Sequence, residues 1–165
     1  MAELRTAHST FRLTPLGFEF PDEEWMRSEL SVRLVVNRQE LFVKPERTPT
    51  LPLRSYQQLL ADARNFLDSC AAGGDDLFDD TEPFVFVPSE LDFEFALLDA
   101  ELSPDGEGEV TIRVMIRVGG TTPAYVGSTL SVDASQFRQF LSTLEQEIDQ
   151  IVGRRVASAF VTAEV

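Results

Sequence analysis

The chain has 165 residues and carries 28 Asp and Glu against 14 Lys and Arg, so its formal net charge at pH 7 is −14. A negative field of this size repels nucleic acid and anionic membranes and attracts basic partners. The length fits one domain, residues 1–165, with a substantial core. A single Cys excludes an internal disulfide. The sequence contains no run of about 18 apolar residues, so we predict no membrane span. With no signal-peptide pattern at the start, we expect a cytoplasmic protein.

The first third of the chain predicts short strands. Residues 1–8 show no clear pattern and are expected to be a loose end. Strand-like patterns recur in residues 9–20 and 30–43, where Asn-Arg at 37–38 suits a turn between two strands. The prolines in residues 44–52 predict a loop, because proline lacks the N–H that a strand ladder needs.

Two amphipathic helices follow from apolar residues at helical spacing. Ser55 begins the first helix and Gly73 stops it. Asp133 begins the second helix, and its apolar stripe ends at Gly153. Residues 156–165 are expected either to add an edge strand or to form a loose end.

A hairpin over residues 84–118 is the clearest strand signal. Apolar and polar residues alternate in two runs on either side of a turn at residues 104–106, Pro-Asp-Gly. Asp92 and Glu94 lie on its polar face with two arginines, where cross-strand ion pairs are expected. Together the elements predict an α+β fold: an antiparallel sheet of about five or six strands with two α-helices packed on one face.

No stretch of the chain carries a catalytic or metal-binding signature. His8 and Cys70 are the only residues of their types, too few for a zinc site built from such ligands. Gly119-Gly120 lacks the other residues of a phosphate loop or a dinucleotide fingerprint. We therefore predict no cofactor, no metal and no enzyme, and a carboxylate-based enzyme is the least favoured class.

An acidic link, residues 75–82, joins the first helix to the hairpin. It is dense in carboxylates and has no Lys or Arg, and Leu77 and Phe78 interrupt the charges as an apolar anchor. We interpret it as a docking site for a basic protein; the alternative places Phe78 in the core with the carboxylates facing water. The candidate partner-binding residues are Asp75, Asp76, Leu77, Phe78, Asp79, Asp80, Glu82, Asp92 and Glu94.

Four stretches resemble the WapI-type immunity proteins of bacterial polymorphic toxin systems. They are FRLTPLGFEFPDEEW, TPTLPLRSYQQLLADARNFLDS, EPFVFVPSELDFEFALLDAE and YVGSTLSVDASQFRQFLSTLEQEI. The resemblance implies a cytosolic, non-enzymatic protein that binds and blocks a cognate toxin, often a nuclease. The alternative is a generic interaction or structural subunit, either a monomer or a weak homo-oligomer.

Overall fold

The computed structural model confirms the α+β class. It describes residues 1–19, 24–73, 83–88, 92–119 and 124–162, with the side chains of the last stretch described up to Arg155. Within these residues the strands form two antiparallel sheets, of five and four strands, accompanied by two helices. The strands thus divide between two sheets, whereas one sheet was predicted, because alternation shows which residues face a core but not which strands pair.

The five-stranded sheet has the order β1-β2-β3-β4, with β5 also paired to β3. Its strands are β1 (Ala2–Arg5), β2 (Ser9–Phe18), β3 (Trp25–Val36), β4 (Gln39–Val43) and β5 (Thr50–Pro52). The expectation of a loose end at residues 1–8 is wrong, since β1 pairs with β2 and buries Ala2 and Leu4 completely. Four residues are too short a pattern to predict a strand; pairing with the longer β2 stabilises it.

The turn between β3 and β4 matches its prediction. Val36 pairs with Gln39, which leaves Asn37 and Arg38 as a two-residue loop with φ angles of 52° and 64°. Positive φ at both positions is typical of a type I′ turn, whose twist suits an antiparallel hairpin.

The four-stranded sheet has the order β6-β7-β8-β9. Its strands are β6 (Phe84–Phe86), β7 (Phe93–Leu102), β8 (Gly108–Val118) and β9 (Ala124–Asp133). The predicted hairpin is β7–β8, and its turn contains Gly106 at a φ of 80°. The register shifts between Leu97 and Asp99, so the residues beyond this irregularity take partners that simple alternation does not predict.

Both helices are present, but the second is longer than predicted. The helices are α1 (Leu53–Gly73) and α2 (Ala134–Thr162). Gly153 does not end α2, which continues to Thr162, so the described part of residues 156–165 is helical rather than an edge strand or a loose end. A glycine costs a helix only about 1 kcal/mol relative to alanine, and contacts beyond it offset that cost. One such contact places the Arg155 guanidinium 4.8 Å from the centre of the Phe18 ring.

A cluster of phenylalanines joins both sheets to α2. Phe11 of β2 lies 5.7 Å from Phe95 of β7, measured between ring centres, and 5.8 Å from Phe140. Phe137 lies 6.2 Å from Phe140. α2 contacts β1 and β2 of one sheet and β8 and β9 of the other, while α1 contacts β5, β6 and β7. Among the described residues, neither helix combines the length and apolar character that crossing a bilayer requires.

Candidate protein-binding face

Most of the predicted partner-binding set lies outside the described residues. This applies to Asp75, Asp76, Leu77, Phe78, Asp79, Asp80 and Glu82. Asp92 directly precedes β7 and Glu94 lies within it, so the structure describes these two members of the set.

Glu94 forms the expected cross-strand ion pair with an arginine of β8. Its Oε1 accepts hydrogen bonds from Nε and Nη2 of Arg113, at 2.9 and 2.7 Å. The pair is diagonal, because Glu94 lies opposite Met115 and Arg113 lies opposite Ala96. The backbone carbonyl of Asp92 accepts a bond from the N–H of Arg117 at 2.8 Å. The predicted grouping of acidic and basic residues on this face is therefore present, and within it the Glu94 carboxylate is bound by Arg113.

These residues belong to what we call the outer face, the side of the four-stranded sheet turned away from the phenylalanine cluster. Alternation in β8 buries Val110, Ile112, Val114 and Ile116 and turns the residues between them to the other side. The outer face contains Val85, Glu94, Ala96, Asp99 and Glu101 from β6 and β7, Glu109, Thr111, Arg113, Met115 and Arg117 from β8, and Tyr125, Gly127, Thr129, Ser131 and Asp133 from β9.

Three carboxylates meet at one end of the outer face. Glu101 of β7 lies directly opposite Glu109 of β8, and Glu109 lies directly opposite Asp133 of β9. All three residues are exposed. We call Glu101, Glu109 and Asp133 the acidic row. Like charges directly opposite each other destabilise a sheet, so the row costs the isolated fold stability.

The surroundings of the acidic row compensate its charge only in part. The Ser131 hydroxyl donates to Oε1 of Glu109. Asp133 immediately precedes α2, where the positive end of the helix dipole favours a carboxylate. Among the residues that the structure describes, no Lys or Arg forms an ion pair with the row.

The turn beside the row adds further negative charge. Asp105 and Glu107 lie in it, both exposed. The Ser103 hydroxyl donates to Asp105, and this bond lowers the pKa of that carboxyl below its ordinary value. The nearby Arg138 is directed at the backbone, since its Nη1 donates to the carbonyl of Gly106 at 2.6 Å. The turn therefore places two more exposed carboxylates next to the acidic row.

The middle and the far end of the outer face expose apolar atoms. Val85 and Tyr125 are large apolar side chains that remain substantially exposed, and Met115 is half-buried between them. Gly127, opposite Met115, has no room for a side chain, because an added Cβ would overlap the carbonyl oxygen of Val114. The face thus combines an acidic end with a partly apolar surface, a composition suited to binding a protein.

The described residues include two other reactive side chains, Cys70 and His8. No group of His, Cys, Asp or Glu within the described part of the chain has the spacing of a metal site. Cys70 is half-buried on α1, and its pKa is raised by burial and, to a smaller extent, by the charge of Asp99. A raised pKa keeps the thiol protonated and therefore weakly nucleophilic. His8 is exposed.

The sequence did not predict the acidic row as a unit. Glu101 and Glu109 lie on either side of the predicted hairpin turn, and Asp133 was predicted only as the start of the second helix. Their alignment depends on the register shift after Leu97, which no local pattern encodes. The available signal was the density of carboxylates in residues 99–109.

The chain is similar to a known protein family over most of its length. A family model described as the Immunity protein WapI-like family matches residues 4–151, from within β1 to most of the way along α2. No curated protein and no solved structure matches the chain.

Proposed function

The chain belongs to the WapI-like immunity protein family, and from that premise we propose that it binds a cognate toxin protein and blocks it without catalysing a reaction. Membership of the family over residues 4–151 is the observation that carries this proposal. The acidic, partly apolar outer face supports it, because protein-binding surfaces combine apolar contact area with a polar rim.

We further propose that the toxin presents a basic surface and that a nuclease fits this description. Enzymes that act on nucleic acid need Lys and Arg to hold the phosphate backbone. An inhibitor with a net charge of −14 opposes such a surface and accelerates encounter with it. A cytoplasmic location fits this role, since a toxin of that kind acts on intracellular nucleic acid.

The test is co-expression with the product of the neighbouring gene, assayed for toxicity to the host cell. We expect the pair to co-purify as a complex and growth to recover when the chain is present. An unrelated toxin serves as the control and should remain toxic. Undiminished toxicity, together with no complex by isothermal titration calorimetry, would contradict the proposal.

A second candidate function is self-association as a structural subunit, and the β4 edge favours it. β4 is the terminal strand of its sheet, and it exposes Leu41 by 49% and Phe42 by 57%. An exposed apolar edge can pair with another strand. A dimer in sedimentation that Phe42→Lys converts to a monomer would support this alternative, whereas a wild-type monomer at high concentration would contradict it.

A further inference from the structure

We propose that the toxin docks on the outer face of the four-stranded sheet, with Lys and Arg side chains of the toxin placed over the acidic row of Glu101, Glu109 and Asp133. This inference rests on the proposed function and adds to it the surface that binds and the chemistry of the occupant. The occupant is a protein surface that is basic at one end and apolar beside it.

The strand register is the first argument for this surface. Glu101, Glu109 and Asp133 occupy directly opposite positions on three neighbouring strands, the arrangement in which repulsion between their charges is strongest. A cation placed over the row removes that repulsion, so the row favours the bound state over the free state. A row of neutral polar residues would not have this effect.

Local charge complementarity is the second argument. Asp99 lies on the outer face next to the row, and Asp105 and Glu107 lie in the adjoining turn. The nearby Arg138 donates to the Gly106 carbonyl. A toxin that brings Lys or Arg to this end therefore meets several carboxylates at once, which accelerates association and fixes its orientation.

The exposed apolar side chains of the same face are the third argument. Tyr125 of β9 lies opposite Arg117 of β8, and Val85 of β6 lies opposite Ala96 of β7. The side chains of Tyr125 and Val85 both remain substantially exposed. Tyrosine is enriched among the residues that dominate binding energy at protein interfaces. The exposure of Tyr125 and Val85 shows that neither helix covers these two side chains.

The test variant combines Glu101→Gln, Glu109→Gln and Asp133→Asn. These replacements keep the shape of each side chain, and Asn preserves capping before α2 as well as Asp does. With the toxin identified by the co-expression test as the probe, we expect association at low salt to slow by about tenfold or more. We also expect a shallower salt dependence of the association rate and a melting temperature that stays level or rises.

The matched control combines Glu19→Gln, Asp68→Asn and Asp149→Asn. It changes the net charge equally at exposed positions after β2 and on the two helices. We expect it to change the association rate by less than about twofold. Equal slowing in both variants would mean that net charge alone acts, and it would overturn the proposed docking surface.

The outcomes separate this inference from the function on which it rests. If the wild-type chain binds the toxin and the acidic-row variant binds it at the same rate, the docking surface is wrong and the immunity function stands. A melting temperature that falls with the binding rate would assign the row a structural role and also overturn the inference. If the wild-type chain does not bind the toxin, both proposals fall.

Discussion

Arg64 of α1 and Glu145 of α2 form a bidentate ion pair between residues 81 positions apart in the chain. Nη1 of Arg64 donates to Oε1 of Glu145 at 2.9 Å, and Nη2 donates to Oε2 at 2.7 Å. The two side chains are 41% and 44% exposed. The pair ties together two helices that contact different strands, and water screens much of its attraction.

We expect this ion pair to contribute a coupling free energy of about 0.2–1 kcal/mol, because exposed pairs lie in that range even with good geometry. A double-mutant cycle of Arg64→Ala and Glu145→Ala, measured by urea unfolding at neutral pH, gives this value. A coupling energy near zero would show that the side chains are not held together in solution.

The same pair should weaken in acid. The hydrogen bond from Arg64 lowers the pKa of Glu145 below its ordinary value of 4.5. A lowered pKa means that the folded state binds the proton less readily than the unfolded state. The stabilisation is therefore complete above pH 4.5 and is lost as the pH falls through the lowered value. We expect the double-mutant coupling to decrease as the pH is lowered below 4.5, and a coupling that does not change with acidification would contradict this explanation.

Tyr56 and Ser28 share a fully buried hydroxyl–hydroxyl hydrogen bond between α1 and β3. Tyr56→Phe leaves the Ser28 hydroxyl without this partner and should cost about 1–3 kcal/mol of unfolding free energy. Adding Ser28→Ala to Tyr56→Phe should recover much of that loss, because replacing both partners removes the buried polar groups together. Chemical unfolding of the three variants measures this, and a double variant as unstable as the sum of the singles would contradict it.

Tyr56 also predicts alkaline sensitivity. Burial raises its pKa from 10.0 to about 12, an increase that the bond to Ser28 partly reduces. Between these values the unfolded chain loses the phenolic proton and the folded chain keeps it, so the free energy of unfolding should fall as the pH rises. Tyr56→Phe should show a smaller fall over the same range. Identical slopes in both proteins would mean that Tyr56 titrates normally.

Gly153 tests the helical structure of the C-terminal segment. It lies inside α2, and an added Cβ would have no atom within 4 Å. We expect Gly153→Ala to raise the unfolding free energy by about 0.5–1 kcal/mol, because alanine loses less backbone entropy in a helix. Gly127→Ala is the contrasting variant and should destabilise the fold, since its Cβ overlaps the Val114 carbonyl. A destabilising Gly153→Ala would contradict helical structure at this position.

The acidic link at residues 75–82 stays a prediction of the sequence. Replacing Asp75, Asp76, Asp79 and Asp80 by Asn should slow association with a basic toxin at low salt and leave the melting temperature nearly unchanged. Stopped-flow association with the acidic-row variant measured in parallel would compare the two acidic regions. Unaltered association kinetics in the link variant would exclude the link as a docking site.

Local chemistry accounts for the elements that the sequence predicted correctly. Alternation from Val110 to Val118 produces β8, and Asn37-Arg38 produces the β3–β4 turn, because each pattern depends on residues a few positions apart. The apolar stripes of α1 and α2 depend on helical spacing over a few turns. These features, together with the net charge and the pattern shared with a family, are properties of the amino-acid sequence itself.

The remaining features depend on contacts between distant segments. β1 is a strand because β2 pairs with it, and α2 continues through Gly153, with Arg155 packed on Phe18 in the turns beyond. Glu101, Glu109 and Asp133 form one row because a register shift in β7 and the pairing of β9 with β8 align them. Tertiary structure decides these features because strand pairing and register are set by packing across the whole sheet. A register shift of one residue moves every side chain of a strand to the opposite face of the sheet.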